Sequence, residues 1–174
     1  MRFNKGKCLV AYFSHKGMNY VSGQIRDLKV GNTEVAAKMI QRITGGDIFH
    51  IDTLKTYPKE YNETTDVAKK ELNNNARPEL TNHVKDMSSY DVIFVGYPNW
   101  WGTMPMAVFT FLEEYDLSGK TIIPFCTHEG SGLGHSESDI KKLCPSANVL
   151  KGLAIRGSNV KVAEKDISRW IENL

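Results

Sequence analysis

The 174-residue sequence has few of the features that identify disulfide-rich, membrane-spanning or strongly charged proteins. Its three cysteines are odd in number and scattered, which argues against a disulfide framework and favours buried, reduced thiols in a cytoplasmic protein. No apolar run reaches the length of a transmembrane helix, and no secretion signal precedes the first apolar segment. The formal net charge of +2 gives no indication of a nucleic-acid partner. Spacings such as CxxC and HExxH are missing, so no metal site is expected.

What the sequence does contain is an alternation of short apolar runs and helical patterns. Residues 92–97 are rich in β-branched and aromatic side chains and predict a strand buried on both faces of a parallel sheet. Pro98 ends this run, and a helix is expected to begin at Pro105. Further strands are predicted at residues 8–13, 47–51, 121–127 and 149–155, the last interrupted at Gly152. Further helices are predicted at about residues 35–43, capped by Asn32 or Thr33, and at 60–72, 139–143 and 163–174.

This alternation predicts one domain over residues 1–174. The fold class is α/β, a doubly wound five-stranded parallel sheet with helices on both faces. Two local irregularities are expected. Ser22-Gly23 can form the two-residue turn of a small hairpin within residues 18–30. Pro124 marks an irregular or partly unpaired position in its strand.

Three predicted strands end in loops of special composition, at residues 14–17, 98–102 and 127–134. In a parallel sheet these loops open at one edge, where ligands bind. The helix start near Asn32 and Thr33, with Ser14, can bind an anion, although these residues can equally be only a turn and a cap. Two adjacent tryptophans offer flat aromatic surface or cap the core. The pattern suggests a ligand with a phosphate and a flat heteroaromatic ring, but neither GxGxxG nor GxxxxGK[ST] is present.

The sequence resembles the flavodoxin-like family, in particular its short bacterial branch. The specific stretch is YPNWWGTMP at residues 97–105. The other matching segments are residues 10–14, 31–36, 45–51, 57–63 and 127–132. Together they cover most of the chain in the order typical of the family. The resemblance implies strand order 2-1-3-4-5 and non-covalently bound FMN.

The resemblance also implies which residues contact the cofactor. The phosphate is expected at Ser14, Asn32 and Thr33. One side of the ring system is expected to contact Pro98, Asn99, Trp100, Trp101 and Gly102. The other edge is expected to contact Thr127, His128, Glu129, Gly130, Ser131 and Gly132. One departure is that residues 18–30 separate Ser14 from Asn32, where the family has a continuous loop. Either this insertion loops out and the phosphate cradle re-forms, or the cradle is altered. The insertion can also lie beside the flavin as a flap. Substitutes for the family's missing threonine are expected at Lys16, Met18 and Asn19.

Three functions follow from the resemblance. The leading hypothesis is an oxidoreductase that passes electrons from NADH or NADPH through FMN to a quinone or similar small acceptor. The alternatives are a single-electron carrier to protein partners and a binding module without redox turnover. The near-neutral charge favours the enzyme over a carrier, because electron carriers of this fold are usually acidic. His128 is the candidate catalytic residue, or else an exposed loop histidine. Open sheets often dimerise, and the sequence leaves both a monomer and a homodimer open.

Overall fold

A computed structural model describes residues 7–174, so the expectation about a secretion signal, which also concerns residues 1–6, falls partly outside the described residues. The strands are β1 (Cys8–Tyr12), β2 (Gly17–Val21), β3 (Gln24–Leu28), β4 (Asp47–His50), β5 (Val92–Pro98), β6 (Thr121–His128), β7 (Asn148–Val149) and β8 (Leu153–Arg156). The α-helices are α1 (Asn32–Thr44), α2 (Tyr61–Asn73), α3 (Met106–Glu113), α4 (Ser136–Leu143) and α5 (Glu164–Glu172). Short 3-10 turns cover Met87–Ser89 and Gly157–Val162.

The main sheet is parallel and has the order β4-β1-β5-β6, with β7 and β8 pairing one after the other along β6. Together β7 and β8 form the fifth strand. The predicted fold class and the strand order 2-1-3-4-5 are therefore confirmed. β4 lies at one edge of the sheet.

Helices cover both faces of the sheet because successive strand side chains point to opposite sides. Val10 and Phe94 pack on one face in a cluster with Ile40 of α1 and Ile167 of α5. The other face packs residues of β1 and β5 against α3 and α4. No helix within residues 7–174 is both long enough and apolar enough to cross a membrane.

Pro124 occupies a gap between strand partners. It is paired with Val95 of β5, but on its other side it falls between the part of β6 that pairs with β7 and the part that pairs with β8. A Cβ atom at Gly152 would lie 2.8 Å from the Pro124 carbonyl oxygen, so the fifth strand passes this point closely. Pro124 therefore occupies a partly unpaired position, as predicted, and the fifth strand is interrupted beside it.

Three helices begin one residue later than expected, at Tyr61, Met106 and Glu164. The starts of α1 and α4 differ in other ways. Gly31, rather than Asn32 or Thr33, is the N-cap of α1, and its side-chain cap comes from Ser14 in a distant loop. Helix α4 begins at Ser136, three residues before the predicted start, and Ser136 Oγ accepts a hydrogen bond from Tyr97 Oη at 2.8 Å. Both differences arise from contacts distant in sequence, which a local pattern does not contain.

Candidate functional site

The loops that follow β1, β5 and β6 meet at the carboxyl edge of the sheet and enclose a cavity of about 580 Å³. They meet because these three strands are parallel neighbours. Helix α2 and the hairpin formed by β2 and β3 (residues 17–28, hereafter the hairpin) also line it. The volume lies within the range of roughly 300–1,000 Å³ that small-molecule sites occupy.

The start of α1 contributes Asn32 and Thr33 to the lining of this cavity. Ser14 Oγ accepts a hydrogen bond from the backbone N–H of Glu34 at 3.1 Å. Gly31 is required beside it, because a Cβ atom there would overlap Ser14 Oγ. The N–H groups of Asn32 and Thr33 have no acceptor in the described part of the chain and lie at the positive end of the helix dipole. Residues 18–30 thus loop out, and Ser14 lies at the start of α1.

The insertion that loops out folds as the antiparallel hairpin. Its two-residue turn is Ser22-Gly23, as predicted, and both residues have positive φ (50° and 80°), as a type I′ turn requires. The turn lies against the loop after β6, where the Ser22 N–H donates to Glu129 Oε2 at 3.4 Å. At its base, Met18 N–H donates to the Lys59 carbonyl at 3.1 Å, and Asp27 is 3.3 Å from Lys59 Nζ. The hairpin is therefore anchored at both ends beside the cavity.

The two adjacent tryptophans have different environments. The half-buried Trp100 packs edge-on against Tyr57 and Phe13, with ring centroids 5.0 and 5.2 Å apart. Trp101 is 46 % exposed and has a φ of 55°, in a tight turn closed by hydrogen bonds between Trp100 and Thr103. Its indole Nε1 donates to the Thr65 carbonyl at 2.9 Å. Trp100 thus caps the core and borders the cavity, whereas Trp101 extends from the loop to α2.

Asn99 joins the tryptophan loop to the glycine-rich loop. Its Oδ1 accepts from the Gly102 N–H at 3.0 Å, and its Nδ2 donates to the Gly132 carbonyl at 2.8 Å. Further along, the His135 N–H donates to the Gly102 carbonyl at 2.8 Å. These bonds fix the two loops relative to one another, so the cavity is bordered by a preformed structure.

His128 lies at the end of β6 and lines the cavity. Its Nδ1 accepts a hydrogen bond from the Gly130 N–H at 2.9 Å, which leaves the proton of the neutral ring on Nε2. Desolvation by partial burial, with the nearby positive charge of Arg156, lowers the pKa of His128 despite the opposing effect of Glu129. Burial likewise lowers the pKa of His15 in the loop after β1. Burial therefore favours the neutral form of both histidines.

Most of the residues singled out in the sequence line this one cavity: Met18, Asn19, Asn32, Thr33, Pro98, Asn99, Trp100, Trp101, Gly102, Thr127, His128, Glu129 and Ser131. Ser14, Lys16, Gly130 and Gly132 are not among the lining residues. Ser14 accepts a hydrogen bond from the Glu34 N–H and so supports the start of α1 without lining the cavity. The Lys16 side chain is exposed.

The sequence reasoning missed seven lining residues: His15, Tyr20, Tyr61, Thr64, Thr65, Ala68 and Gly157. Four of them recur along one face of α2 at helical spacing, a signal that was present in the sequence. Tyr20 and Gly157 have no comparable local pattern, since they reach the cavity only through the packing of the hairpin and the turn after β8.

This fold defines a doubly wound α/β protein, and its cavity lies at the carboxyl edge of the sheet, where proteins of this class bind ligands. A family model described as flavodoxin matches residues 7–174, and the chain belongs to the flavodoxin family.

Relatives and solved structures agree with this assignment. A chain from Bacteroides eggerthii, provisionally described as a flavoprotein, is 32% identical with a TM-score of 0.78, and 96% of each chain is covered. A flavoprotein from Lactobacillus acidophilus, solved in complex with FMN, has the same fold at 23% identity and a TM-score of 0.66, over 90% of this chain and 97% of that one. Flavodoxin 1 of Escherichia coli is 24% identical over 127 residues, 71% of this chain and 54% of the relative. The chain thus spans about half the length of the curated relatives it matches.

Proposed function

We propose that this chain is an FMN-dependent oxidoreductase that transfers electrons from NADH or NADPH to a quinone or similar small acceptor. The observation that carries the proposal is a cavity lined both by a helix N-terminus and by aromatic side chains. The membership of the flavodoxin family and the FMN complex of the Lactobacillus acidophilus flavoprotein support the choice of cofactor.

The residues present fit FMN. The N–H groups of Asn32 and Thr33, at the start of α1, are donors for a phosphate, and the helix dipole favours its negative charge. Glycine is required at position 157, where the turn after β8 lies against Asn32, because a Cβ atom at Gly157 would overlap the Asn32 side-chain amide. The ring system would lie between the tryptophan loop and the loop after β6.

When bound, FMN would supply the electron chemistry, by accepting two electrons from the nicotinamide and passing them to the acceptor. The chain would orient the reactants and exclude water. Trp100 provides a rigid border, since its ring is held by Phe13 and Tyr57. Neutral His128 has its Nε2–H without a partner in the described part of the chain, and we propose that it donates a hydrogen bond to the ring system or to the acceptor.

The first experiment is the visible absorption spectrum of the purified protein, before and after adding FMN or riboflavin. Riboflavin lacks the phosphate, so we expect FMN to bind at least 100-fold more tightly. Under anaerobic conditions NADH or NADPH should then bleach the bound flavin. Failure to bind either flavin would overturn the proposal. Bound flavin that neither nicotinamide bleaches would exclude the nicotinamide-dependent enzyme and favour the electron carrier.

A matched pair of variants tests the phosphate site. Asn32 and Asn62 lie in the first turns of two helices of 13 residues each, but only Asn32 lines the cavity. Asn32→Asp places a negative charge beside the phosphate and should weaken FMN binding at least 30-fold while changing riboflavin binding less than threefold. Asn62→Asp should change neither by more than threefold. Equal effects of Asn32→Asp on both flavins would place the phosphate elsewhere.

A further inference from the structure

The cavity has an aromatic wall, formed by Tyr20 of the hairpin, Tyr61 of α2 and Trp101 of the tryptophan loop. The rings of Tyr20 and Tyr61 are 6.3 Å apart and inclined by 35°. Trp101 joins the same side of the cavity through its hydrogen bond to Thr65, one turn along α2 from Tyr61. These three residues therefore border the cavity along α2.

The cavity is also nearly free of charge. Among the described residues that line it, Glu129 is the one carboxylate and neither lysine nor arginine is present. Both oxygens of Glu129 are engaged, since Oε1 accepts from the Ser158 N–H at 2.7 Å and Oε2 from the Ser22 N–H. Lys69 approaches the Trp101 ring at 4.5 Å but does not line the cavity. No positively charged lysine or arginine of residues 7–174 lines the cavity to pair with an anionic acceptor. An uncharged aromatic ring, by contrast, could stack on the aromatic wall without removing a charge from water.

The aromatic wall also offers a hydrogen-bond donor. The hydroxyl of Tyr61 has no hydrogen-bond partner in the described part of the chain and can donate to a carbonyl oxygen. By contrast, the single proton of the neighbouring Thr64 hydroxyl already has the carbonyls of Pro58 and Glu60 as acceptors. A flat, uncharged molecule that carries a ring carbonyl matches this combination of groups.

The hairpin limits what can reach this wall. It is anchored at its turn to Glu129 and at its base to Lys59, so it lies beside the cavity as a fixed border rather than a free arm. Tyr20 and Trp101 are each 46% exposed, so a molecule of one or two rings can reach them, whereas a protein surface would also meet the hairpin strand that carries Tyr20.

We propose that the aromatic wall binds the electron acceptor, an uncharged quinone of one or two rings, and that the hairpin excludes protein acceptors. The inference rests on the proposed function and specifies its acceptor. The reaction balances as reduced nicotinamide plus one proton plus quinone giving oxidised nicotinamide plus hydroquinone. Two electrons and one proton come from the nicotinamide, and the second proton comes from water.

Point variants test the wall. Tyr20→Ala and Tyr61→Ala should each raise KM for 1,4-naphthoquinone at least fivefold, because each removes one stacking surface. Tyr61→Phe should raise this KM less than Tyr61→Ala does, since the aromatic ring remains. Ile25→Ala is the matched control, because Ile25 pairs with Tyr20 in the hairpin and is exposed but does not line the cavity.

A binding measurement separates the acceptor site from turnover. Chromone is a flat, uncharged two-ring ketone that the enzyme is not expected to reduce, and its binding can be followed through the visible spectrum of the bound flavin. In the tyrosine variants, the dissociation constant of chromone should rise together with the KM for 1,4-naphthoquinone, while FMN remains bound. Unchanged chromone binding in both alanine variants would overturn the aromatic wall as the acceptor site. Failure of the wild-type protein to bind FMN would instead overturn the proposed function.

Replacing the hairpin tests exclusion of protein acceptors. Gly17 and Leu28 are paired across its base, so an Asn-Gly turn can replace residues 18–27. At saturating FMN, this variant should reduce cytochrome c at least tenfold faster than the wild type and bind chromone more weakly. Equal rates of cytochrome c reduction would show that the hairpin does not exclude protein acceptors.

Discussion

The side-chain oxygens of Thr33 and Thr127 lie 2.7 Å apart, although 94 residues separate them in the sequence. Thr33 belongs to the first turn of α1, and Thr127 lies near the end of β6. Both side chains are buried and both line the cavity. This hydrogen bond therefore joins the proposed phosphate site to the end of β6, which carries His128.

The Thr33–Thr127 bond should be measurable in the flavin-free protein. Thr33→Val or Thr127→Val leaves one buried hydroxyl unpaired and should lower the free energy of unfolding by about 1–3 kcal/mol. The double variant removes both hydroxyls, so its free energy of unfolding should fall by clearly less than the sum of the losses in the two single variants. Urea unfolding of the four proteins gives the coupling energy. Additive losses would mean that the two hydroxyls do not stabilise one another.

A pair of glycines separates backbone strain from steric conflict. Gly134 and Gly119 both have positive φ, but a Cβ atom at Gly134 would overlap the Gly102 carbonyl, whereas at Gly119 it would meet nothing within 4 Å. Gly119→Ala should therefore cost about 1–2 kcal/mol from conformation alone. Gly134→Ala should cost more and weaken FMN binding, because the tryptophan loop must move. Equal losses of unfolding free energy would contradict the close contact between Gly134 and Gly102.

The stability of the folded chain should depend on pH through His128. Its pKa is lowered in the folded state, so between that pKa and the ordinary value of ~6.5 the unfolded chain binds more protons. The free energy of unfolding should therefore fall as the pH drops below about 6.5, and the fall should level off below the folded pKa. His128→Gln should reduce this dependence between pH 7.5 and 5.5. An NMR titration that gives His128 a pKa above 6.5 would contradict the prediction.

The three cysteines should be unreactive in the folded protein. All three are free and buried, and burial raises the pKa of Cys8 and of Cys144 to about 11 and that of Cys126 higher still. Because the thiolate is the reactive form, Ellman's reagent should modify none of them quickly at pH 8 and all three after unfolding in guanidinium. Rapid modification of one thiol in the native protein would show that its site opens locally.

Much of the fold was predictable because its signals are local. The buried runs at residues 8–13 and 92–97 and the Ser22-Gly23 turn each have a pattern that neighbouring residues alone specify. The start of α4 was misplaced because Ser136 is held by Tyr97, which is 39 residues away. Similarly, the cap of α1 comes from Ser14, across the insertion.

The sequence by itself determined the strand and helix alternation, and hence the sheet edge at which the loops after β1, β5 and β6 meet. Only the tertiary structure decided which side chains border the cavity. It separated the half-buried Trp100 from the exposed Trp101 and brought Tyr20 of the hairpin against Tyr61 of α2. The physical reason is that strand and helix patterns are set by near neighbours along the chain. The walls of the cavity are set instead by packing and hydrogen bonds between segments distant in sequence, such as the bond from Ser22 to Glu129 across 107 residues.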